Sequence, residues 1–184
     1  IEVNRHGLLR SRGLPTCRLE QLQPGTSERA LANCSGALVG SGRFWATVVF
    51  PDQRPYPTRG RLLVFNGRSG GRRVLFAQIY ATDPFPASFV VTFAVKTIDR
   101  GRFGTELSAS FPKSLGEWGF VDRIKLTLRR RYVVHGDHRS FFNASCPALP
   151  GTRLGSFLLA RTRFYFRGRK PVSLDINKSC KAKA

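Results

Sequence analysis

Apolar and polar residues alternate with period two along most of the chain, in runs bounded by Gly, Pro, Asn and Asp. This alternation is typical of strands that cover a core with one face. The runs are rich in Val, Phe, Leu and Thr, which suit a pleated, half-buried surface. We predict strands at Ile1–Val3, Phe44–Phe50, Arg61–Phe65, Arg73–Thr82, Ser88–Ile98, Gly104–Phe111, Arg123–Val134, Ser140–Cys146, Gly155–Phe166 and Val172–Ile176.

One segment carries the signals of a helix instead. Thr26 or Ser27 can accept a hydrogen bond as the N-cap, and Glu28 complements the positive end of the first turn. Ala and Leu residues follow, and Gly36 can end the helix. The pattern predicts one short helix near residues 26–35.

Turn signals separate several of the predicted strands. They stand at 66–71, 135–138 and 167–169, and three prolines at 51, 55 and 57 make the segment after Phe50 irregular. We find no internal repeat, linker or low-complexity segment. The sequence therefore predicts a single all-β domain that comprises residues 1–184. Its predicted form is an antiparallel β-sandwich or a partly open barrel of about nine or ten strands.

Four cysteines form an even set, Cys17, Cys34, Cys146 and Cys180. Such a set is typical of proteins from an oxidising compartment, so we predict two disulfides, with buried free thiols as the alternative. Three pairings are open. If each cysteine is bonded to the next one along the chain, each bridge would stabilise the fold by about 3 to 4 kcal/mol through loop closure. No C-x-x-C pair is present, and the histidines are His6, His135 and His138, which argues against a zinc site.

The start of the chain and its hydropathy point to an exported protein. The sequence has no methionine, so we expect Ile1 to be the start of a processed chain from which a signal peptide has been removed. The longest nearly uncharged stretch, 82–95, contains Asp83, Pro84 and Pro86 and falls short of the ~20 residues that a bilayer requires. We therefore expect a secreted protein without a transmembrane segment.

Charge is the strongest compositional signal. The chain has 31 Lys and Arg against 11 Asp and Glu, for a formal net charge of +20, and 24 of the basic residues are arginine. Guanidinium groups make forked contacts with phosphate, sulfate and carboxylate, so an anionic partner is expected. Shorter basic clusters are scattered along the chain at Arg59/Arg61, Arg68/Arg72/Arg73, Arg100/Arg102 and Arg161/Arg163.

The segment from Arg123 to Arg131 gives the most specific hypothesis. On a continuous strand, the odd positions from 123 to 131 would form one basic ridge about 27 Å long, opposite Ile124, Leu126 and Leu128. The alternative is a solvated outer face, which is what half-exposed antiparallel strands normally show. The predicted anion-contact residues are Arg123, Lys125, Arg129 and Arg131.

Motifs with a known catalytic mechanism are missing from the sequence. There is no G-x-S-x-G and no H-E-x-x-H. Nothing in the sequence brings Glu106 and Glu117 together, as the two carboxylates of a glycosidase must be. Asp137, between His135 and His138, is typical of a turn. The glycine-rich segment 67–71 is a possible anion nest, but a strand follows it rather than a helix. We therefore predict no catalytic site, no metal and no cofactor.

A protein with this charge would also bind nucleic acid without sequence preference at low salt. No helix-turn-helix, zinc finger or RNP-type motif is present, so no specific nucleic-acid partner is predicted. Aromatic side chains that could stack on bases follow strand periodicity, and we predict them in the core. These residues are Phe141, Phe142, Phe164, Tyr165 and Phe166.

Several short motifs, in this order and spacing, are similar to those of exported all-β proteins of actinobacteria for which no activity is established. They are Gly13-Leu14-Pro15-Thr16-Cys17, the helix leading to Cys34, Val39-Gly40-Ser41-Gly42, Leu63-Val64-Phe65-Asn66-Gly67, Phe103-Gly104-Thr105 and Ser145-Cys146-Pro147. The resemblance implies secretion and a chain that continues upstream of Ile1. The resemblance implies no ligand and no catalytic residue. The arginine content of this chain is higher than we expect for a member of that group.

Together these features predict a non-catalytic secreted or cell-surface protein that binds an anionic cell-envelope polymer. A second hypothesis is a structural subunit of an extracellular fibre or surface layer, self-associated into a homopolymer through strand-edge pairing. A hydrolase of unfamiliar type is the third, and it would require converging His or carboxylate groups in a pocket.

Overall fold

The computed structural model describes residues 1–23, 25–83, 85–111, 119–148, 152–166 and 168–182. That part of the chain holds one α-helix, two short 3-10 helices at Leu19–Gln21 and Ser35–Ala37, and thirteen strands. The helix and strands are β1 (Glu2–Asn4), β2 (Gly7–Leu9), α1 (Ser27–Cys34), β3 (Leu38–Val48), β4 (Tyr56–Ser69), β5 (Arg72–Ala81), β6 (Ala87–Arg100), β7 (Phe103–Ser108), β8 (Gly119–Leu128), β9 (Arg131–Val134), β10 (Asp137–Ser140), β11 (Phe142–Ala144), β12 (Leu154–Phe164) and β13 (Val172–Lys181).

Nine of these strands form one antiparallel sheet in the order β13-β12-β1-β7-β6-β5-β4-β3-β8, which curls into a half-barrel. Two further pairs, β9 with β10 and β2 with β11, form small sheets beside it. The prediction of an all-β protein with one short helix and two disulfides is confirmed, and the half-barrel corresponds to its partly open barrel form.

The central strands of the sheet are buried on both faces, so their middle segments are mostly apolar, with buried polar residues such as Gln78 as exceptions. One face, here called the core face, carries residues such as Leu62, Val64 and Ile79 and packs against Leu14 and Phe141. The opposite face, here called the helix face, is covered by α1 and the segment before it. Its buried residues come from β4, β5 and β6: Leu63, Phe65, Val74, Phe76 and Val90.

The helix begins and ends as its sequence predicts. The hydroxyl of Thr26 accepts a hydrogen bond from the backbone N–H of Arg29 at 3.3 Å, which satisfies a free donor of the first turn. A disulfide joins Cys34 at the end of the helix to Cys17. Beneath the helix, the fully buried Gln78 donates to the carbonyl of Gly25 and accepts from Ser27. These contacts fix α1 on the sheet.

Of the three possible pairings, the structure has the one in which each cysteine is bonded to the next cysteine along the chain. Cys17 is bonded to Cys34, and Cys146 is bonded to Cys180. The second bridge attaches the segment after β11 to β13 at the edge of the sheet. No cysteine is free.

Two predicted strands are each divided in the structure. The expected strand Arg123–Val134 is two strands, because β8 ends at Leu128 and β9 begins at Arg131 in a different sheet. Ser140–Cys146 is likewise divided, since Ser140 ends β10 and β11 pairs with β2. The strand β2 itself has three residues and was not predicted.

Glycines explain why β3 begins six residues earlier than expected. Gly40 and Gly42 allow β8 to approach closely, because a Cβ atom on Gly42 would overlap the carbonyl oxygen of Lys125. The β4–β5 turn is also shorter than expected, since only Gly70 and Gly71 have positive φ, at +54° and +73°. Asn66 and Gly67 belong to the strand. Arg167 of the third predicted turn lies outside the described residues.

Candidate anion-binding surface

The predicted ridge is interrupted in the middle. Arg123 and Lys125 lie on β8, an edge strand of the main sheet, and their side chains are exposed. β8 ends at Leu128, and the backbone N–H of Arg129 then donates to the carbonyl of Val39 at 3.0 Å. Arg131 begins the β9–β10 hairpin. The expected single strand is therefore wrong, and the role of the four residues in anion binding stays a prediction.

Strand register brings three further arginines beside Arg123 and Lys125. Lys125 pairs directly with Arg43 on β3, and Arg43 pairs directly with Arg61 on β4. In the next row, Arg123 and Arg59 flank Trp45. These six residues share the helix face, and we call them the Trp45 surface. Since neighbouring strands are 4.7 to 4.9 Å apart, the three strands place the cations across about 10 Å.

Trp45 organises one row of this surface. The tryptophan is half-buried, and the guanidinium carbon of Arg123 lies 5.3 Å from the centre of its ring. This distance falls within the range of a cation–π interaction. This contact holds Arg123 beside the ring, and its N–H donors, which form no hydrogen bond within the described chain, remain available for an anion.

Two carboxylates lie at the rim of the Trp45 surface. Glu28 of α1 forms an exposed ion pair with Arg61 at 3.4 Å. Its own backbone N–H, then the Thr26 hydroxyl and the Arg61 charge, lower the pKa of Glu28, so it is ionised at neutral pH. Asp122, the extra residue of a bulge in β8, accepts a hydrogen bond from Thr47 at 2.9 Å.

The remaining cations of the Trp45 surface are not neutralised by the protein. Among the described residues, Arg43, Arg59, Arg123 and Lys125 form no ion pair. All four side chains are exposed. The surface therefore has more positive charge than its two rim carboxylates balance.

Arginines at the other side of the sheet are paired with carboxylates. The buried Glu2 of β1 lies between Arg100 and Arg163, at 3.3 and 3.4 Å. Arg161 donates two hydrogen bonds to Asp175, at 2.7 and 2.8 Å. These hydrogen bonds lower the pKa of Asp175. Arg100, Arg161 and Arg163 are thus each paired with a carboxylate, unlike the exposed cations of the Trp45 surface.

The segment that contains His135 and His138 forms a turn in the structure. His135 and Gly136 form the tight turn between β9 and β10, both with positive φ. Asp137 forms an ion pair with Arg139 at 3.0 Å. In the described ranges, no group of three or more His, Cys, Asp or Glu side chains is placed to hold a metal ion.

Glu106 is the described member of the carboxylate pair considered from the sequence. It lies directly opposite Glu2 across β1 and β7 and forms an ion pair with Arg100 at 3.1 Å. Glu117 lies outside the described residues.

The aromatic residues expected in the core divide into two groups. Phe141 is completely buried, and Phe142 packs against the same core. Phe164, Tyr165 and Phe166 are 37%, 74% and 54% exposed. Their predicted burial is wrong because they stand at the end of β12 and beyond it, where no described segment covers the sheet.

Two residues of the Trp45 surface, Arg43 and Trp45, were missed from the sequence, and Arg59 and Arg61 were seen only as a separate cluster. Their alternation along β3 and β4 is visible in the sequence, since Arg43 and Trp45, like Arg59 and Arg61, are two residues apart. That signal places each pair on one face of its strand. The register that joins the strands is a long-range property and has no local signal.

No family model, no curated protein and no solved structure matches this chain. The resemblance to exported actinobacterial proteins therefore stays a prediction. No helix in the described part of the chain has the length and apolar character needed to cross a bilayer.

Proposed function

We propose that the protein acts by binding an anionic cell-envelope polymer on the Trp45 surface, and that it performs no catalysis. The observation that carries this proposal is the row Lys125, Arg43 and Arg61, in which each cation faces the next directly across the strands. Like charges directly opposite each other destabilise a sheet, whereas opposite charges in the same position contribute roughly 0.2 to 1 kcal/mol. An anion over the row would remove that cost, so the arrangement favours a polyanionic ligand.

The form of the surface favours an extended ligand. Its cations are exposed on three neighbouring strands rather than gathered in a pocket. Guanidinium groups bind phosphate, sulfate and carboxylate through paired N–H donors, so each repeat unit of a linear polyanion offers a suitable acceptor. Arg129 and Arg131 follow β8 in the chain and would extend the contact beyond the end of the strand.

The two disulfides support an oxidising environment for the folded protein, because such bonds persist outside the reducing cytosol. We therefore place the protein outside the cell, secreted or held at the cell surface. An anionic envelope polymer is a partner that a basic protein meets in that location.

The salt dependence of binding tests the proposal. Each phosphate neutralised on a flexible single chain contributes about −0.7 to the slope of log K against log salt, so five cations predict about −3.5. Affinity should then fall roughly 100-fold between 50 and 200 mM salt. The probes are poly(glycerol phosphate) and an oligodeoxythymidylate, which supplies a phosphate chain without sequence information.

A triple variant distinguishes binding on the Trp45 surface from attraction by the net charge of the protein. Arg43→Gln, Arg61→Gln and Lys125→Gln together should reduce the slope by about 2. The control variant, Arg153→Gln, Arg169→Gln and Lys178→Gln, removes the same charge from β13 and the segments flanking β12 and should change the slope little. Equal effects of the two variants would show binding through net charge alone and would contradict the proposal.

Strand-edge assembly is the second candidate, and the two open edges favour it. Within the described chain, no strand pairs with the outer edge of β8 or of β13. Both edges carry exposed apolar side chains, Ile124 and Leu126 on β8 and Leu174 and Ile176 on β13. Unprotected edges of this kind allow pairing between copies. Electron microscopy and light scattering should then show filaments, and discrete monomers at micromolar concentration would exclude this candidate.

A further inference from the structure

A second concentration of arginines lies in a cleft separate from the Trp45 surface. The cleft has a volume of about 670 Å³ and forms where the loop after β2 meets the β4–β5 and β9–β10 hairpins. It shares no residue with the Trp45 surface. Its arginines come from all of these segments: Arg10, Arg12, Arg68, Arg73 and Arg139.

The walls of the cleft are held together by polar contacts. Arg73 donates to the carbonyl of Leu9 at 3.2 Å, and the hydroxyl of Tyr132 donates to the carbonyl of Arg10 at 3.2 Å. These two contacts join the loop after β2 to β5 on one side and to β9 on the other. Asn66 also donates to the carbonyl of Pro15 at 2.9 Å. The concave form is therefore built by the fold rather than by loose surface side chains.

Positive charge in the cleft exceeds the charge that the protein can neutralise there. No Asp or Glu is among the described residues that line it. Asp137 pairs with Arg139 from outside, at 3.0 Å, while Arg68 donates to the carbonyl of Gly71. Within the described chain, the guanidinium groups of Arg10 and Arg12 have no hydrogen-bond or ion-pair partner. Two donor-rich side chains that line the basic cleft thus remain available.

We propose that this cleft binds a compact anion with several phosphate or sulfate groups. Its volume lies within the range of small-molecule sites, roughly 300 to 1,000 Å³, and five guanidinium groups match more than one tetrahedral oxyanion. A single monovalent anion would leave most of the charge unbalanced. A free oligophosphate and the phosphorylated end of a longer molecule present the same chemistry to the cleft.

Calorimetric titration with tripolyphosphate and with orthophosphate, at constant ionic strength, tests this site. We expect one tripolyphosphate per protein molecule and much weaker binding of orthophosphate. The double variant Arg10→Gln and Arg12→Gln should weaken tripolyphosphate binding by about tenfold for each charge-assisted hydrogen bond lost. Because these guanidinium groups have no partner in the protein, the variant should retain the thermal midpoint of the original protein.

Two controls make the result decisive. The double variant Arg153→Gln and Arg169→Gln removes the same charge elsewhere and should change the affinity less than twofold. The triple variant of the Trp45 surface should also leave tripolyphosphate binding unchanged, which separates the cleft from the polymer-binding surface. A titration with poly(glycerol phosphate) then shows whether a chain end competes for the cleft. Absence of saturable tripolyphosphate binding, or equal losses in the cleft and control variants, would overturn the proposal.

Discussion

Replacing Arg43 by glutamine should stabilise the folded protein while weakening its binding of polyanions. Arg43 is the middle cation of its row, with Lys125 directly opposite on β8 and Arg61 directly opposite on β4. Cross-strand pairs change stability by roughly 0.2 to 1 kcal/mol, so removing both like-charged pairs should increase the free energy of unfolding by about 1 kcal/mol. For a domain of this size, that gain corresponds to a rise of about 2 to 4 °C in the thermal midpoint.

Salt and a matched variant check the electrostatic origin of this gain. The screening length falls from about 10 Å in 0.1 M salt to about 3 Å in 1 M salt, so the gain should largely disappear at the higher concentration. Arg163→Gln is the matched variant, because Arg163 pairs with the buried Glu2 and its loss should lower the midpoint instead. Calorimetric melting at both salt concentrations measures these effects. An Arg43→Gln protein with an unchanged or lower midpoint at low salt would refute the repulsion on which the proposed function depends.

Two further predictions concern the stability of the fold. Replacing both cysteines of one bridge by alanine should lower the free energy of unfolding, which urea unfolding measures. The expected loss is about 3 kcal/mol for Cys17–Cys34 and about 4 kcal/mol for Cys146–Cys180, because these bridges close loops of 17 and 34 residues. Arg161 lowers the pKa of Asp175, so this carboxylate contributes stability above its unfolded pKa of about 3.9 that is lost as the pH falls through its folded value. Asp175→Asn should therefore reduce the acid-induced fall in the urea midpoint; an unchanged acid profile would contradict this assignment.

Local patterns predicted much of the fold. Alternation and strand-forming residues located β5 and β6 to within two residues at each end, and capping residues located α1. β3 begins six residues before the predicted start at Phe44, in a segment that contains Gly40 and Gly42. In the structure, these glycines allow close approach of β8, which the local sequence does not reveal.

The Trp45 surface could be predicted only in part. Arg123 and Lys125 lie on one face of β8, as their spacing predicts, but Arg129 and Arg131 do not continue that strand. Arg43 stands about 80 residues from Lys125, so their pairing depends on strand order and register rather than on local periodicity. A local pattern therefore finds one edge of the surface and not its centre.

The short strand β1 has a consequence for how the protein folds. It joins β12 to β7 in the main sheet, and the side chain of Asn4 reaches a carbonyl 154 residues away, that of Leu158. β1 can be paired on both sides only when β12, about 150 residues later in the chain, is available to fold against it. The β12–β13 hairpin can therefore join the other strands of the sheet only through a contact of high sequence separation, which favours its late addition during folding.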